Sequence, residues 1–110
     1  MAADRHNEGK VPLSLLPLDC LEQVARVLNY GSRKYTRDNW RKGQTRDQIA
    51  DSMLRHLAAQ QRGEVRDLES GELHSAHIAT NALFLIWEDL RIQELSSEFS
   101  GTFTLSSRGR

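Results

Sequence analysis

Apolar residues recur along this chain in three stretches of helical spacing, separated by polar segments. In the first, Leu21, Val24, Ala25 and Leu28 fall three and four apart from Leu18 onward, the mark of one buried helix face. Pro17 suits the opening turn of that helix, where its missing N–H costs nothing, and Asp19 complements the helix N-terminus. Gly31 marks either a stop or a bend into one further turn through Lys34-Tyr35. Thr36 to Gln44 reads as loop. A second helix starts at Thr45, an N-cap, with Asp47 in its first turn and Ile49, Met53, Leu54, Leu57 and Ala58 as its buried stripe; Gly63 ends it. The third runs from about Glu72 to Gln93, presenting Ala76, Ala79, Leu83, Ile86, Trp87 and Leu90. A helix apolar over so much of its circumference is either central or buried between subunits.

This pattern predicts an all-α fold, a small bundle of three main helices completed by oligomerisation into a homodimer or homotetramer. Residues 1–10 are expected to be a flexible N-terminus, 11–94 the helical domain and 95–110 a Ser/Gly-rich tail. Val11–Pro17, broken by both prolines, leads extended into the first helix. In the tail, Phe99, Gly101, Phe103 and Leu105 alternate weakly, which fits a short strand or swapped arm as well as it fits disorder. At 110 residues the chain is one domain, of a size at which a partner subunit often completes the core.

Charge narrows the classes of function. Fifteen basic and fifteen acidic side chains cancel, whereas proteins that coat nucleic acid carry a basic excess, so no stable nucleic-acid partner is expected. No apolar run approaches the ~20 residues that span a bilayer. Met1–His6 also lacks the apolar segment of a signal peptide, so the expected location is cytoplasmic, with no membrane partner. The single cysteine, Cys20, excludes an intrachain disulfide and is expected to be a small buried hydrophobe.

Against this background one polar stripe stands out. His74, His77 and Asn81 share a face of the otherwise apolar third helix. The segment Gly63–Gly71 just upstream carries Glu64, Asp67 and Glu69. Imidazoles and carboxylates this close in sequence are either metal ligands or a structural polar network, and imidazole suits zinc, manganese, cobalt or nickel better than magnesium. His56, between Met53 and Gln60, is either a third imidazole of the site or a satisfied core histidine, while Arg55 is expected to pair with Asp51. A further constellation, Tyr30-Gly31-Ser32-Arg33-Lys34-Tyr35 with Asn39-Trp40-Arg41, offers cations for phosphate, aromatic faces for a base and an amide for its edge. The same residues also read as a helix end with a tryptophan on the core.

Taken in order, Glu8-Gly9-Lys10, Leu13–Pro17, Val24–Val27, Tyr30-Gly31, Lys34-Tyr35, Asn39–Arg41, Arg55–Leu57, Gly63-Glu64, Asp67, Glu69–Gly71, His74 and His77–Asn81 form a set. This set resembles the phage-associated dATP/dGTP diphosphohydrolase N-terminal domain family, allied to the MazG-like all-α nucleotide pyrophosphohydrolases. The resemblance implies an enzyme that hydrolyses a purine (deoxy)nucleoside triphosphate (dGTP, GTP or dATP) to the monophosphate and pyrophosphate, with Mg²⁺ or Mn²⁺, in phage-type nucleotide metabolism.

On that reading Glu64 and Asp67 hold the metal, His74 and His77 are further metal ligands or groups behind them (or bind phosphate or water instead), and Glu69 or His56 serves as base. Arg33, Lys34 and Arg41 meet the phosphates, and Tyr35, Asn39, Trp40 and Asn81 meet the nucleoside. The chain departs from the MazG-like pattern in having no E-E-x-x-E run. Glu64-x-x-Asp67 is followed instead by His74-x-x-His77, and Glu22 offers a further carboxylate. The alternative is a non-catalytic nucleotide- or partner-binding helical module with structural histidines. An HD-type phosphohydrolase lacks support because no His-Asp pair is adjacent, and a helix-turn-helix reading lacks a basic recognition helix.

Overall fold

Three helices make up the computed structural model of the chain, α1 (Leu18–Lys34), α2 (Arg46–Gln61) and α3 (His74–Ser100), with short 3-10 turns at Leu13–Leu15 and Asn39–Lys42. It describes residues 8–100, with side chains up to residue 96. Most of the expected N-terminal arm, and the tail from Gly101 on, lie outside the described residues; Phe99 belongs to α3. Among the described residues there is no strand, only one antiparallel bridge between Arg66 and Leu73, so the expected all-α bundle is the fold.

Local chemistry explains the helix ends. Thr45 caps α2 with a reciprocal box: Gln48 N–H donates to Thr45 Oγ1 at 3.1 Å and Thr45 N–H to Gln48 Oε1 at 3.0 Å, satisfying two otherwise orphaned donors. At the other end Gly63, with φ of 99°, donates to the Gln60 carbonyl while Glu64 N–H donates back to that of Ala59. This paired closure needs a left-handed residue, which glycine supplies without a Cβ penalty, and it sets Glu64 immediately beyond the helix. α1 passes through Gly31 and ends at Lys34, with Tyr35 N–H bonded to the Gly31 carbonyl at 2.9 Å. Arg33 and Lys34 thus lie in the last turn, at the negative end of the helix dipole.

α3 packs against both α1 and α2 and is the central element. It starts at His74, two residues later than the spacing predicts. Glu72 and Leu73 are instead drawn into a hairpin-like pairing, with Asp67 N–H donating to the Glu72 carbonyl at 2.8 Å and His74 N–H to that of Val65 at 3.0 Å.

Three expectations are corrected. The buried stripe of α2 is not the apolar one: Ile49 and Ala59 are buried, Met53 is half-buried, and Leu54, Leu57 and Ala58 are exposed. Ser52 and His56 share the inward side instead, because α3 turns its own polar stripe toward α2. Such a seam is stable when its polar groups satisfy one another, and among the described residues no buried side-chain nitrogen or oxygen lacks a partner. Cys20 is exposed rather than buried; it lies a turn before Val24, the first buried residue of α1. Arg55 and Asp51 do not form the expected pair, and both side chains remain exposed. No helix of the described residues is long and apolar enough to cross a membrane.

Candidate active site

Of the four histidines, His56, His74 and His77 converge where α2, α3 and the loop between them meet. His56 Nδ1 and His74 Nδ1 share a hydrogen bond of 2.8 Å, and His74 Nε2 meets Glu64 Oε1 at 2.7 Å. His77 stacks on His56 with ring centroids 4.2 Å apart, and its Nε2 lies 2.7 Å from Ser70 Oγ. His74 is almost wholly buried, at 2% exposure, while His56 and His77 are half-buried. Burial, which penalises the charged form, pulls the titration of both His56 and His77 below the ordinary imidazole value; for His56 the neighbouring His77 adds to it.

The loop delivers carboxylates to these rings through a tight turn. Asp67 Oδ2 accepts from Ser70 N–H at 2.8 Å, Gly71 N–H donates to the Asp67 carbonyl at 2.8 Å, and Glu72 N–H donates to Ser70 Oγ at 3.1 Å. Gly71, at φ of 78°, occupies the left-handed conformation that closes the turn. Burial pushes the Asp67 carboxyl up, but the hydrogen bonds from Ser70 and the nearby imidazoles outweigh it and hold it below the usual carboxylate range. Ligand atoms of His56, Asp67 and His74 lie within 4.8 Å of one another. That donor set, two imidazoles and a carboxylate, fits a borderline cation such as Zn²⁺ or Co²⁺ better than Mg²⁺, which prefers oxygen.

Glu69 points away from the imidazoles' hydrogen bonds and toward α1. Its Oε2 accepts from Lys34 Nζ at 2.6 Å and from the Tyr30 hydroxyl. Lys34 first, then Tyr30, hold the Glu69 carboxyl below its ordinary range, while the same contact raises Lys34 and Tyr30 above theirs. Lys34 Nζ also lies 5.5 Å from the Tyr35 ring centre. Arg33 and Tyr35 are exposed at this end of α1, and Glu22 pairs with Arg26 on the solvent side of the same helix.

The remaining predicted contacts lie elsewhere. Trp40 stacks on Phe84 of α3 at 4.9 Å and meets Trp87 edge-on at 5.3 Å, with the Arg41 guanidinium 4.3 Å from its ring centre. Arg41 also pairs with Asp38 at 3.1 Å, and Asn39 beside them is half-buried. Asn81 is buried in the α2–α3 seam, its amide donating to Ser52 Oγ at 3.1 Å and to the His77 carbonyl at 3.0 Å. The sequence pattern gave no role to Ser52 or Ser70, and it offered Tyr30 as an aromatic face for a base rather than as the partner of Glu69. For Ser70 a signal was present, since Asp67-Leu68-Glu69-Ser70-Gly71 is turn chemistry.

Fold and site together define a small all-α domain carrying an imidazole–carboxylate centre at one helix–loop–helix junction. The chain belongs to the family described as dATP/dGTP diphosphohydrolase, N-terminal, whose model matches residues 1–98. A dATP/dGTP diphosphohydrolase of Salmonella phage PMBT28 is 37% identical over 87 residues, 79% of this chain. The chain spans 30% of that relative's length. No solved structure matches the chain.

Proposed function

We propose that this domain hydrolyses purine (deoxy)nucleoside triphosphates, dATP, dGTP or GTP, to the monophosphate and pyrophosphate with the help of a divalent cation. The observation that carries the reading is the meeting of His56, Asp67 and His74 ligand atoms within 4.8 Å, in a chain whose family and relative bear the name dATP/dGTP diphosphohydrolase. In the reaction water forms a bond to the α-phosphorus, the bond to the bridging oxygen of the β-phosphate breaks, and pyrophosphate leaves.

Asp67 and His56 would hold the cation, with His74 hydrogen-bonded to His56 and Glu64 behind it on His74. A cation bound there supplies Lewis-acid polarisation of phosphate oxygens. Lys34, held by Glu69, and Arg33 beside it in the last turn of α1 would meet the polyphosphate as a point charge and a planar fork. Because Lys34 and Tyr30 occupy Glu69 Oε2, Glu69 acts as a positioning residue rather than as base. Tyr35, 59% exposed, is the aromatic face at this end of α1 that a purine meets. Trp40 and Asn81 hold the scaffold.

Exposed Leu54 and Leu57 on α2, with Leu83, Ile86 and Leu90 on α3, support the reading that a second copy covers these stripes, as expected of a MazG-like enzyme. The test is incubation of the purified chain with purine and pyrimidine triphosphates, with Mn²⁺ or Mg²⁺, followed by separation of products. Purine monophosphate and pyrophosphate that disappear on chelation are expected. Absence of turnover with either cation overturns the proposal in favour of a binding module.

A further inference from the structure

The hydrogen bonds joining Glu64, His74 and His56 have a direction. A carboxylate oxygen accepts, so the proton of the Glu64–His74 contact belongs to His74 Nε2. A neutral imidazole carries one N–H, and with it on Nε2, His74 Nδ1 holds a lone pair. The 2.8 Å contact between the two Nδ1 atoms then takes its proton from His56. We infer that Glu64, acting through His74, locks His56 in the Nδ1–H tautomer, so that His56 Nε2 is the nitrogen this site offers to a borderline divalent cation.

Several observations support the assignment. His74 belongs to the donor group by distance, yet both its ring nitrogens are committed and the side chain is almost wholly buried at 2% exposure. It is therefore a positioning residue, in the way a hydrogen-bonded partner fixes the tautomer and ring orientation of a ligating histidine. The His77 ring, 7° from parallel to that of His56, holds the ring plane from a second side. His56 Nε2 has no hydrogen-bond partner among the described residues, whereas Nδ1 has one. Asp67 supplies an oxygen donor within 4.8 Å of a ring nitrogen of His56. A nitrogen committed in this way favours Zn²⁺ or Co²⁺ over Mg²⁺. The inference rests on reading this cluster as the metal centre, and its test is independent of turnover.

Long-range ¹H–¹⁵N correlation spectra of the metal-free 110-residue chain at pH 7.5 report the tautomer of each histidine. An unprotonated Nε2 on His56 and a protonated Nε2 on His74 are expected. Glu64→Leu, which removes the acceptor, should let His56 populate both tautomers, and Glu64→Gln, whose carbonyl still accepts, should restore the single one. Zn²⁺ should then shift His56 Nε2 and not the nitrogens of His74, and Mg²⁺ at the same concentration should shift neither. A His74 imidazolium, a protonated Nε2 on His56, or a Zn²⁺ shift confined to His74 overturns the inference. Should Glu64→Leu not fold, the wild-type spectrum and the Zn²⁺ titration decide alone. The expected tautomer and Zn²⁺ shift in a protein that hydrolyses no triphosphate would support the inference and overturn the reaction proposed above.

Discussion

His56 of α2 and His77 of α3 lie face to face, their ring centroids 4.2 Å apart and their planes 7° from parallel. Neither ring is easily charged, because burial favours the neutral form in both and outweighs the opposing pull of Asp67. Their folded pKa values therefore lie below the unfolded value of about 6.5. As pH falls through 6.5 the unfolded chain takes up protons that the folded chain does not, so stability is lost on the acid side and flat above it. Thermal melts should show a lower Tm at pH 5.5 than at 7.5, and His77→Gln should flatten that slope. A wild-type Tm independent of pH across this window would contradict the pairing.

Lys34 and Glu69 tie the end of α1 to the site loop across a 2.6 Å ion pair. Glu69 has a depressed pKa, so its contribution is present above the ordinary carboxylate range and lost as pH falls below it. The raised pKa of Lys34 means that its contribution is lost only in strong alkali. Both side chains are well exposed, so the pair adds little to global stability. Glu69→Gln should leave the melting temperature nearly unchanged while accelerating amide exchange in the last turn of α1 and at residues 67–71. Unchanged exchange in both segments would show that the contact holds nothing in place.

Ile49, fully buried at 0% exposure, is the largest completely enclosed side chain among the described residues. Ile49→Ala should destabilise the domain by roughly 2–5 kcal/mol, from lost transfer energy and the cavity left behind. Thr45→Ala, which removes one half of the α2 capping box, should cost about 1 kcal/mol. Urea titrations of both variants measure the difference, and an Ile49→Ala loss under about 1 kcal/mol would mean that the site collapses onto neighbouring side chains.

Leu54 is 62% exposed in one chain although it sits mid-helix on α2. If a second copy covers it, Leu54→Glu should shift sedimentation from the assembled to the single-chain mass. An unchanged mass would remove this stripe from the interface.

The architecture was legible because helix periodicity and end signals act locally: Thr45 with Gln48, the glycine at 63 and the apolar spacing of α1 and α3 needed no tertiary information. The face of α2 was misread for a physical reason. Leu54 and Leu57 looked inward on hydrophobicity alone, yet the partner helix presents His74, His77 and Asn81, and a polar stripe is buried best against another polar stripe such as Ser52 and His56. The same seam explains why Asn81 lies between helices, satisfied by Ser52 and its own helix. The acidic loop and the helical histidines were each visible. That Glu64 reaches His74 while Glu69 reaches back to Lys34 depends on how the Asp67–Gly71 turn folds, which spacing does not specify.

The most direct test of the proposed chemistry is Asp67→Asn, since the amide oxygen can still accept from Ser70 N–H while the ligand charge is gone. Turnover of dGTP and dATP with Mn²⁺ should fall by at least about a hundredfold, on the order of 3 kcal/mol in the barrier, with the helical circular dichroism unchanged. Wild-type turnover in a folded Asp67→Asn protein would contradict the placement of the catalytic centre at His56, Asp67 and His74.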